Sequence, residues 1–202
     1  FPALSLRYNI SREPWFKNAL PFISMLSIRP GWGVVGRQPG GEGLFYSKYR
    51  NGSGYLDEGS VYPANIQMKN LKWEQKKTYN LGTDFGFFND IITGNVEFYW
   101  QYTSDLLMAS RGIPTSSGYP TLAYQNVGDM KNVGWEFNLN GNRIIKAGKF
   151  SADFNITFAN NKNQITAMDE TCLASLNQEF NRSNGSYLTR VELNTAMGSI
   201  YG

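Results

Sequence analysis

Two stretches constrain this chain more than any others, Leu71–Phe88 and Gly94–Tyr102, with little more than Asn89-Asp90 between them. Each keeps alternate positions apolar and the intervening ones polar. Soluble strands run about 5–6 residues, whereas a tilted strand crossing a bilayer needs about 9–11. The pair is therefore predicted to be a hairpin of a transmembrane β-barrel. Composition agrees: 15% aromatic residues and 21 glycines against 17% charged residues favour strands over helices. No run approaches the ~18 consecutive apolar residues of a membrane helix. The mean hydropathy of −0.40 does not count against a barrel, because alternate residues conceal the lipid face.

Other function classes fall away on simple grounds. Net charge is +3 over 202 residues, and the loose basic clusters Lys72, Lys76, Lys77 and Arg143, Lys146, Lys149 read as solvated strand ends rather than a nucleic-acid footprint. Histidine is absent, which removes the commonest general base and metal ligand. The single Cys172 has no disulfide partner and no metal-ligand spacing. No catalytic group, metal or cofactor is expected. The chain starts at Phe1 without Met or signal peptide, as a mature product or a piece of something longer would.

Six segments alternate with period two: 3–11, 22–35, 74–88, 91–104, 132–145 and 148–160. One parity in each supplies an outward set: Leu4, Leu6, Tyr8, Ile10; Leu26, Ile28, Pro30, Trp32, Val34; Tyr79, Leu81, Thr83, Phe85, Phe87; Val96, Phe98, Trp100, Tyr102; Trp135, Phe137, Leu139; and Phe150, Ala152, Phe154, Ile156, Phe158. None is charged. The other parity carries Arg7, Arg29, Asp84, Glu97, Glu136 and Asp153, which are expected to pair inside the barrel or with a plug. Short turns at 89–90 and 146–148 and a moderate link at 12–21 alternate with long connections at 36–73, 105–131 and 161–202. Outer-membrane barrels have such short periplasmic turns and long extracellular loops. Strands one, three and five then run inward and the others outward. Trp15, Phe16, Trp73, Tyr99, Trp100 and Tyr102 crowd strand ends, as interfacial girdles do. Closure needs eight or more strands, and open edges are not tolerated in lipid, so six strands must belong to a larger barrel or oligomerise. The fold class is all-β: a section of a large antiparallel transmembrane β-barrel. A soluble or surface β-sandwich that binds carbohydrate would instead bury the outward set as a core.

Specific motifs sharpen this. Phe1-Pro-Ala-Leu-Ser-Leu through Glu13-Pro-Trp-Phe16, Leu26-Ser-Ile-Arg-Pro-Gly-Trp-Gly33, and Leu71-Lys-Trp-Glu74 through Asp84-Phe-Gly-Phe-Phe88 occur in order. Thr103-Ser-Asp-Leu-Leu107, Gln125-Asn-Val-Gly-Asp-Met-Lys-Asn-Val-Gly-Trp-Glu-Phe137, Ala159-Asn-Asn-Lys-Asn163 and Met197-Gly-Ser-Ile-Tyr-Gly202 follow. Together they resemble the SusC/RagA family of TonB-linked outer-membrane transporters of Bacteroidetes over nearly the whole chain. Departures are Pro30-Gly31, where the family has Ala-Ser, and Val133, where it usually has Lys. A proline here removes a ladder donor, so a bulge or weakened pairing is expected.

The resemblance implies that residues 1–202 are part of one 22-stranded, plugged barrel whose plug, TonB box and remaining strands lie outside this chain. It implies TonB-dependent uptake of oligosaccharides or peptides in the outer membrane, amid its lipid. The implied partners are a SusD-like surface lipoprotein, TonB through the N-terminal part, and a homodimer of transporter–lipoprotein pairs. A non-transporting outer-membrane adhesin would share the barrel.

The remaining motifs carry little chemistry. Asp57-Glu58 and Asp169-Glu170 read as loop charges, since neither fits an EF-hand. Gly40-Gly41 and Gly43 lack the Lys-Ser/Thr of a phosphate loop. Sequons at Asn9, Asn51, Asn155, Asn181 and Asn184 read as chance in an Asn-rich chain. The long loops do carry aromatic rings with polar neighbours, suited to sugars or peptides. Candidate substrate or partner contacts are Tyr46, Tyr49, Tyr55, Tyr62, Arg111, Tyr119 and Tyr124, with packing of loop on loop as the plainer role for the tyrosines.

Overall fold

The computed structural model describes residues 1–55, 58–119, 121–147, 150–176 and 191–197. Eleven strands and two helices lie within them: β1 (Ala3–Ser5), β2 (Tyr8–Asn9), α1 (Pro14–Ala19), β3 (Ile23–Arg37), β4 (Tyr49–Tyr55), β5 (Glu58–Pro63), β6 (Glu74–Phe87), β7 (Ile92–Ser104), β8 (Leu107–Gly112), β9 (Thr121–Asn126), β10 (Gly128–Ala147), β11 (Phe150–Met168) and α2 (Glu170–Leu176). One sheet runs in the order β1-β3-β6-β7-β10-β11, with β2 also on β3, and β4-β5 and β8-β9 are separate hairpins. No described helix is long and apolar enough to cross a membrane. The contacts divide the chain into a unit of residues 1–35, 76–102 and 131–164 and a second of 36–75, 103–130 and 165–202.

The first unit is the sheet wall, and its outward residues are not a core. Leu4 is 60% exposed, Phe98 43% and Phe158 58%. The buried hydrophobic residues among those described are Phe16, Val127, Ile165 and Cys172. The β-sandwich reading needed the outward set packed away from solvent; it is bare. Only an apolar surround would make such a surface favourable, at about 25 cal/mol per Å² of apolar area.

Pro30 acts as its chemistry demands. β1 pairs Ala3 with Gly33 and Ser5 with Gly31, while β2 pairs Tyr8 with Ile28. The register is unchanged across the gap, so there is no bulge. The Leu6 N–H donates to the Pro30 carbonyl at 3.0 Å, but Pro30 has no N–H to return. The expected segment 3–11 is thus split into β1 and β2, and a 3-10 turn begins at Ile10.

The short turn after β6 uses three consecutive left-handed residues, Phe88 (φ 55°), Asn89 (φ 54°) and Asp90 (φ 63°). Asn and Asp tolerate that region better than most residues. Neighbouring strands hold it: Ser24 Oγ donates to Asp90 Oδ1 at 2.5 Å, and Asn142 Nδ2 donates to the Asp90 carbonyl at 3.1 Å. Beside the turn lies an aromatic belt that sequence reading missed. Phe22 stacks near Phe87 (6.3 Å between centroids), Phe87 near Phe85 (5.6 Å), Phe85 near Phe137 (6.4 Å) and Phe137 near Phe158 (6.4 Å). Phe85 and Phe137 meet although β7 runs between their strands, because Gly94 leaves room. A Cβ on Gly94 would stand 2.6 Å from the Phe85 ring. Gly94→Val is expected to destabilise the folded protein by about 1–3 kcal/mol through overpacking, read as a lower urea midpoint in lipid, while Phe85→Ala in the same background relieves part of it.

On the opposite parity, Arg29 grips Asp84 with two bonds of 2.9 Å, Ser27 Oγ donates to it at 2.9 Å, and Arg7 lies 3.3 Å away. The Asn138, Asn140, Asn155 and Thr157 side chains hydrogen-bond between β10 and β11.

Several boundaries move. β10 has 20 residues and β11 has 19, against the shorter segments 132–145 and 148–160. At ~3.3 Å per residue each exceeds a ~30 Å hydrocarbon core even when tilted. Beyond lipid the ladder continues without any need for alternation, so the pattern ends before the strand does. The connections at 36–73 and 105–131 are likewise not irregular but carry the hairpins β4-β5 and β8-β9. The turn at 146–148 lies partly outside the described residues.

Candidate functional site

The second unit holds the loop residues. Polar, glycine-rich Tyr49-Arg-Asn-Gly-Ser-Gly-Tyr55 forms β4, paired to β5 with Tyr49 opposite Pro63 and Arg50 opposite Tyr62, and with a register shift between Gly52 and Tyr55. Asn65 closes its base. Its Oδ1 accepts from the Lys48 N–H at 2.7 Å and its Nδ2 donates to the Tyr46 carbonyl at 3.1 Å, while the Ala64 N–H donates to the Lys48 carbonyl at 2.7 Å. Asn126 serves the other connection in the same way, bridging both backbone groups of Lys72 and the Asp105 carbonyl. Neither asparagine stood out in the sequence, because a loop amide looks the same whether solvated or clamping.

Asn126 lies at a separate hollow, whereas the Asn65 clamp borders a cleft of about 670 Å³. Tyr49, Arg50 and Tyr62 line it from the hairpin, Lys48 and Asn65 from its base, and Tyr119 and Thr121 from the approach to β9. Three of the seven candidate residues, Tyr49, Tyr62 and Tyr119, therefore share one site. Tyr124, on the other face of β9, lines a separate hollow of about 340 Å³ with Met68 and Leu71. Tyr46 is 67% exposed, edge-on to Phe45 at 5.7 Å, and does not line the cleft. Tyr55 ends β4 opposite Glu58. Asp57 lies outside the described residues.

Arg111 is engaged elsewhere. Its guanidinium donates to Gln125 Oε1 and Thr171 Oγ1 and sits 3.6 Å from Asp169, with only 11% of the side chain exposed. Asp169 in turn caps α2: Oδ1 accepts from the Thr171 hydroxyl and, at 3.1 Å, from the Cys172 N–H. These bonds, the Thr171 hydroxyl foremost and the Arg111 charge after them, hold the Asp169 carboxyl below the usual carboxylate range. Burial pushes the Cys172 thiol up; its sulfur lies 3.5 Å from that of Met108. Asp169 is thus a helix cap rather than a solvated loop charge. A depressed carboxyl contributes stability that is present above its unfolded pKa of ~3.9 and is lost as pH falls through the lower folded value. Asp169→Asn is therefore expected to speed amide exchange at Cys172 and Leu173 relative to wild type at neutral pH. That difference should close on acidification below the normal carboxylate range.

The comparisons with known proteins agree with this architecture. The family described as TonB dependent receptor-like, beta-barrel matches residues 1–200. The chain is 32% identical over 213 residues to the TonB-dependent receptor SusC of Bacteroides thetaiotaomicron, covering all of this chain and 21% of that protein. It is 27% identical over 202 residues to the TonB-dependent receptor P39 of Formosa agariphila, covering all of this chain and 18% of that one. Among solved structures it resembles the RagAB peptide importer in its closed-closed state (TM-score 0.71, 25% identity) and its open-open state (TM-score 0.70, 25% identity). Each match takes in 82% of this chain and 18% of that chain. The chain thus spans about a fifth of the length of these curated relatives. A bare apolar face on an antiparallel wall and a match across residues 1–200 lead to one assignment: the chain belongs to the TonB-dependent receptor β-barrel family of the outer membrane, among its SusC/RagA members.

Proposed function

We propose that the whole protein imports oligosaccharides or peptides across the outer membrane under TonB drive. In this reading residues 1–202 supply wall and extracellular mouth within a single barrel domain, and other parts of the protein supply plug, TonB box and remaining strands. The observation that carries it is similarity to SusC along the entire chain, joined to a cleft among the long loops. Tyr49, Tyr62 and Tyr119 are the residues proposed to touch cargo, since rings offer contact area at low entropic cost. Tyr46 and Tyr124, which do not line the cleft, and Tyr55 at the end of β4 are proposed contacts for a SusD-like lipoprotein closing over the mouth. Arg111 is a positioning residue that holds α2. Dimerisation of transporter–lipoprotein pairs belongs to the same proposal.

The test is uptake by cells carrying or lacking the gene, fed labelled pools of oligosaccharides and of peptides. Import predicts that uptake from at least one pool falls to background on deletion and returns with the gene. Unchanged uptake from both pools would contradict it and favour an adhesive role.

A further inference from the structure

Among the described residues, the charged side chains that line the loop cleft are of one sign: Lys48 and Arg50 line it and no described carboxylate does. The adjoining hollow on the other face of β9 adds Lys69 and again no described carboxylate. Among the described residues neither Lys48 nor Arg50 forms an ion pair. Lys48 Nζ donates to the Glu42 backbone carbonyl at 2.6 Å, which positions the ammonium without neutralising it. On the β4-β5 hairpin itself the described carboxylate is Glu58, opposite Tyr55 at the far end. That is four residues along the strand from Tyr62, or about 13 Å. Arg50 stands directly across from Tyr62, so a guanidinium and a phenol ring share one face at the cleft wall, with Tyr49 and Tyr119 adding further rings.

From this we propose that the cleft selects cargo bearing a carboxylate. Arg50 takes the carboxylate as a planar, two-pronged donor, Lys48 adds a second positive charge, and the tyrosine rings flank the rest of the ligand. Arginine fits this task because its fork matches a carboxylate, whereas a neutral ligand offers the two exposed cations no counter-charge. The same chemistry arises from two sources, an acidic sugar unit or the acidic groups of a peptide. The inference rests on the import reading for its biological setting, but binding can be measured apart from transport.

The experiment uses the detergent-purified full-length protein and calorimetric titration with matched probes. Trigalacturonate is compared with maltotriose, and a Glu-containing pentapeptide with free C-terminus is compared with its Gln-containing, C-terminally amidated form. In at least one pair the carboxylate member is expected to bind about tenfold or more tightly than the neutral one, as a charged hydrogen bond would give. The preference should weaken with added salt. Arg50→Gln should cut it several-fold and Arg50→Gln with Lys48→Gln should abolish it, while Arg50→Lys should retain more of it than Arg50→Gln does, which separates lost charge from a collapsed loop. A preference confined to the sugar pair assigns the acidic sugar, and one confined to the peptide pair assigns the peptide. Equal binding within both pairs, or a preference undiminished by Arg50→Gln, would overturn the inference. Gene-dependent uptake of neutral cargo alone would sink this inference and leave import standing; a carboxylate preference without gene-dependent uptake would do the reverse.

Discussion

Phe98→Arg, at the middle of β7, is expected to destabilise the lipid-reconstituted full-length protein by about 2–4 kcal/mol, the cost of an arginine on a barrel's lipid face near the midplane. Gln101→Arg, on the other parity of the same strand, should cost less than about 1 kcal/mol, as substitutions at solvated sites usually do. The asymmetry follows from one observation. Phe98 is 43% exposed and Trp100 37% exposed on a sheet with almost no core behind it, so these rings are stable only against acyl chains. A guanidinium at Phe98 must snorkel, thin the bilayer or drag in water. At Gln101 it meets an aqueous lumen, beside an amide that Asn132 approaches at 3.5 Å. Urea titration in vesicles of both variants supplies the difference, and comparable losses at the two positions would argue against lipid on the Phe98 side.

The second large effect belongs to the inner face. Asp84→Ala removes the acceptor of two 2.9 Å bonds from Arg29 and one from the fully buried Ser27, and leaves Arg29 on β3 and Arg7, in the gap between β1 and β2, as like charges without their shared carboxylate. The Asp84 side chain is 15% exposed. Removing one partner of a fully buried pair costs about 3–5 kcal/mol; with this residual exposure a loss of about 3 kcal/mol is expected. Asp84→Asn should recover part of it by keeping the Ser27 bond. In a double-mutant cycle with Arg29→Ala the two losses should be far from additive, with a coupling of about 1–3 kcal/mol. Additive losses would mean that the pair is held apart in the membrane-embedded protein. The Arg7 and Arg29 side chains are 52% and 35% exposed, so added salt should reduce the coupling without erasing it.

Much of the wall was legible in the chain because lipid imposes one rule on every strand that meets it. A single parity free of charge from Leu4 to Phe158 is that rule, and most of the large apolar residues exposed on the sheet are drawn from that set; Val35, Ile144 and Ile145, towards the ends of β3 and β10, are exposed outside it. The gap at Pro30 was legible too, since a missing N–H is a local fact. What escaped is what lipid does not govern. β10 begins at Gly128, in a polar stretch where alternation has lapsed but pairing has not. The β4-β5 and β8-β9 hairpins are short, polar and half exposed, so no periodicity announces them. The phenylalanine belt joins the end of β6 to the middles of β10 and β11 and depends on a register that no single segment encodes. Arg111 looked like a mouth residue because it is a cation in a loop rich in tyrosine. Its partners Gln125 and Thr171 lie 14 and 60 residues on, beyond the reach of any local pattern. Tyr49, Tyr62 and Tyr119 were named as separate loop aromatics, and only folding shows that they border the same cleft.

The central claim is that the outward parity of these strands touches lipid while the other faces water. It is tested most directly by placing single nitroxide labels from Val96 to Tyr102, in full-length protein whose native cysteines have been replaced, and measuring collision with oxygen and with a water-soluble nickel chelate in vesicles. The account predicts strict alternation: oxygen access at 96, 98, 100 and 102, and nickel access at 97, 99 and 101. Uniform accessibility, or labels at 98 and 100 shielded from both reagents as in a protein core, would contradict it.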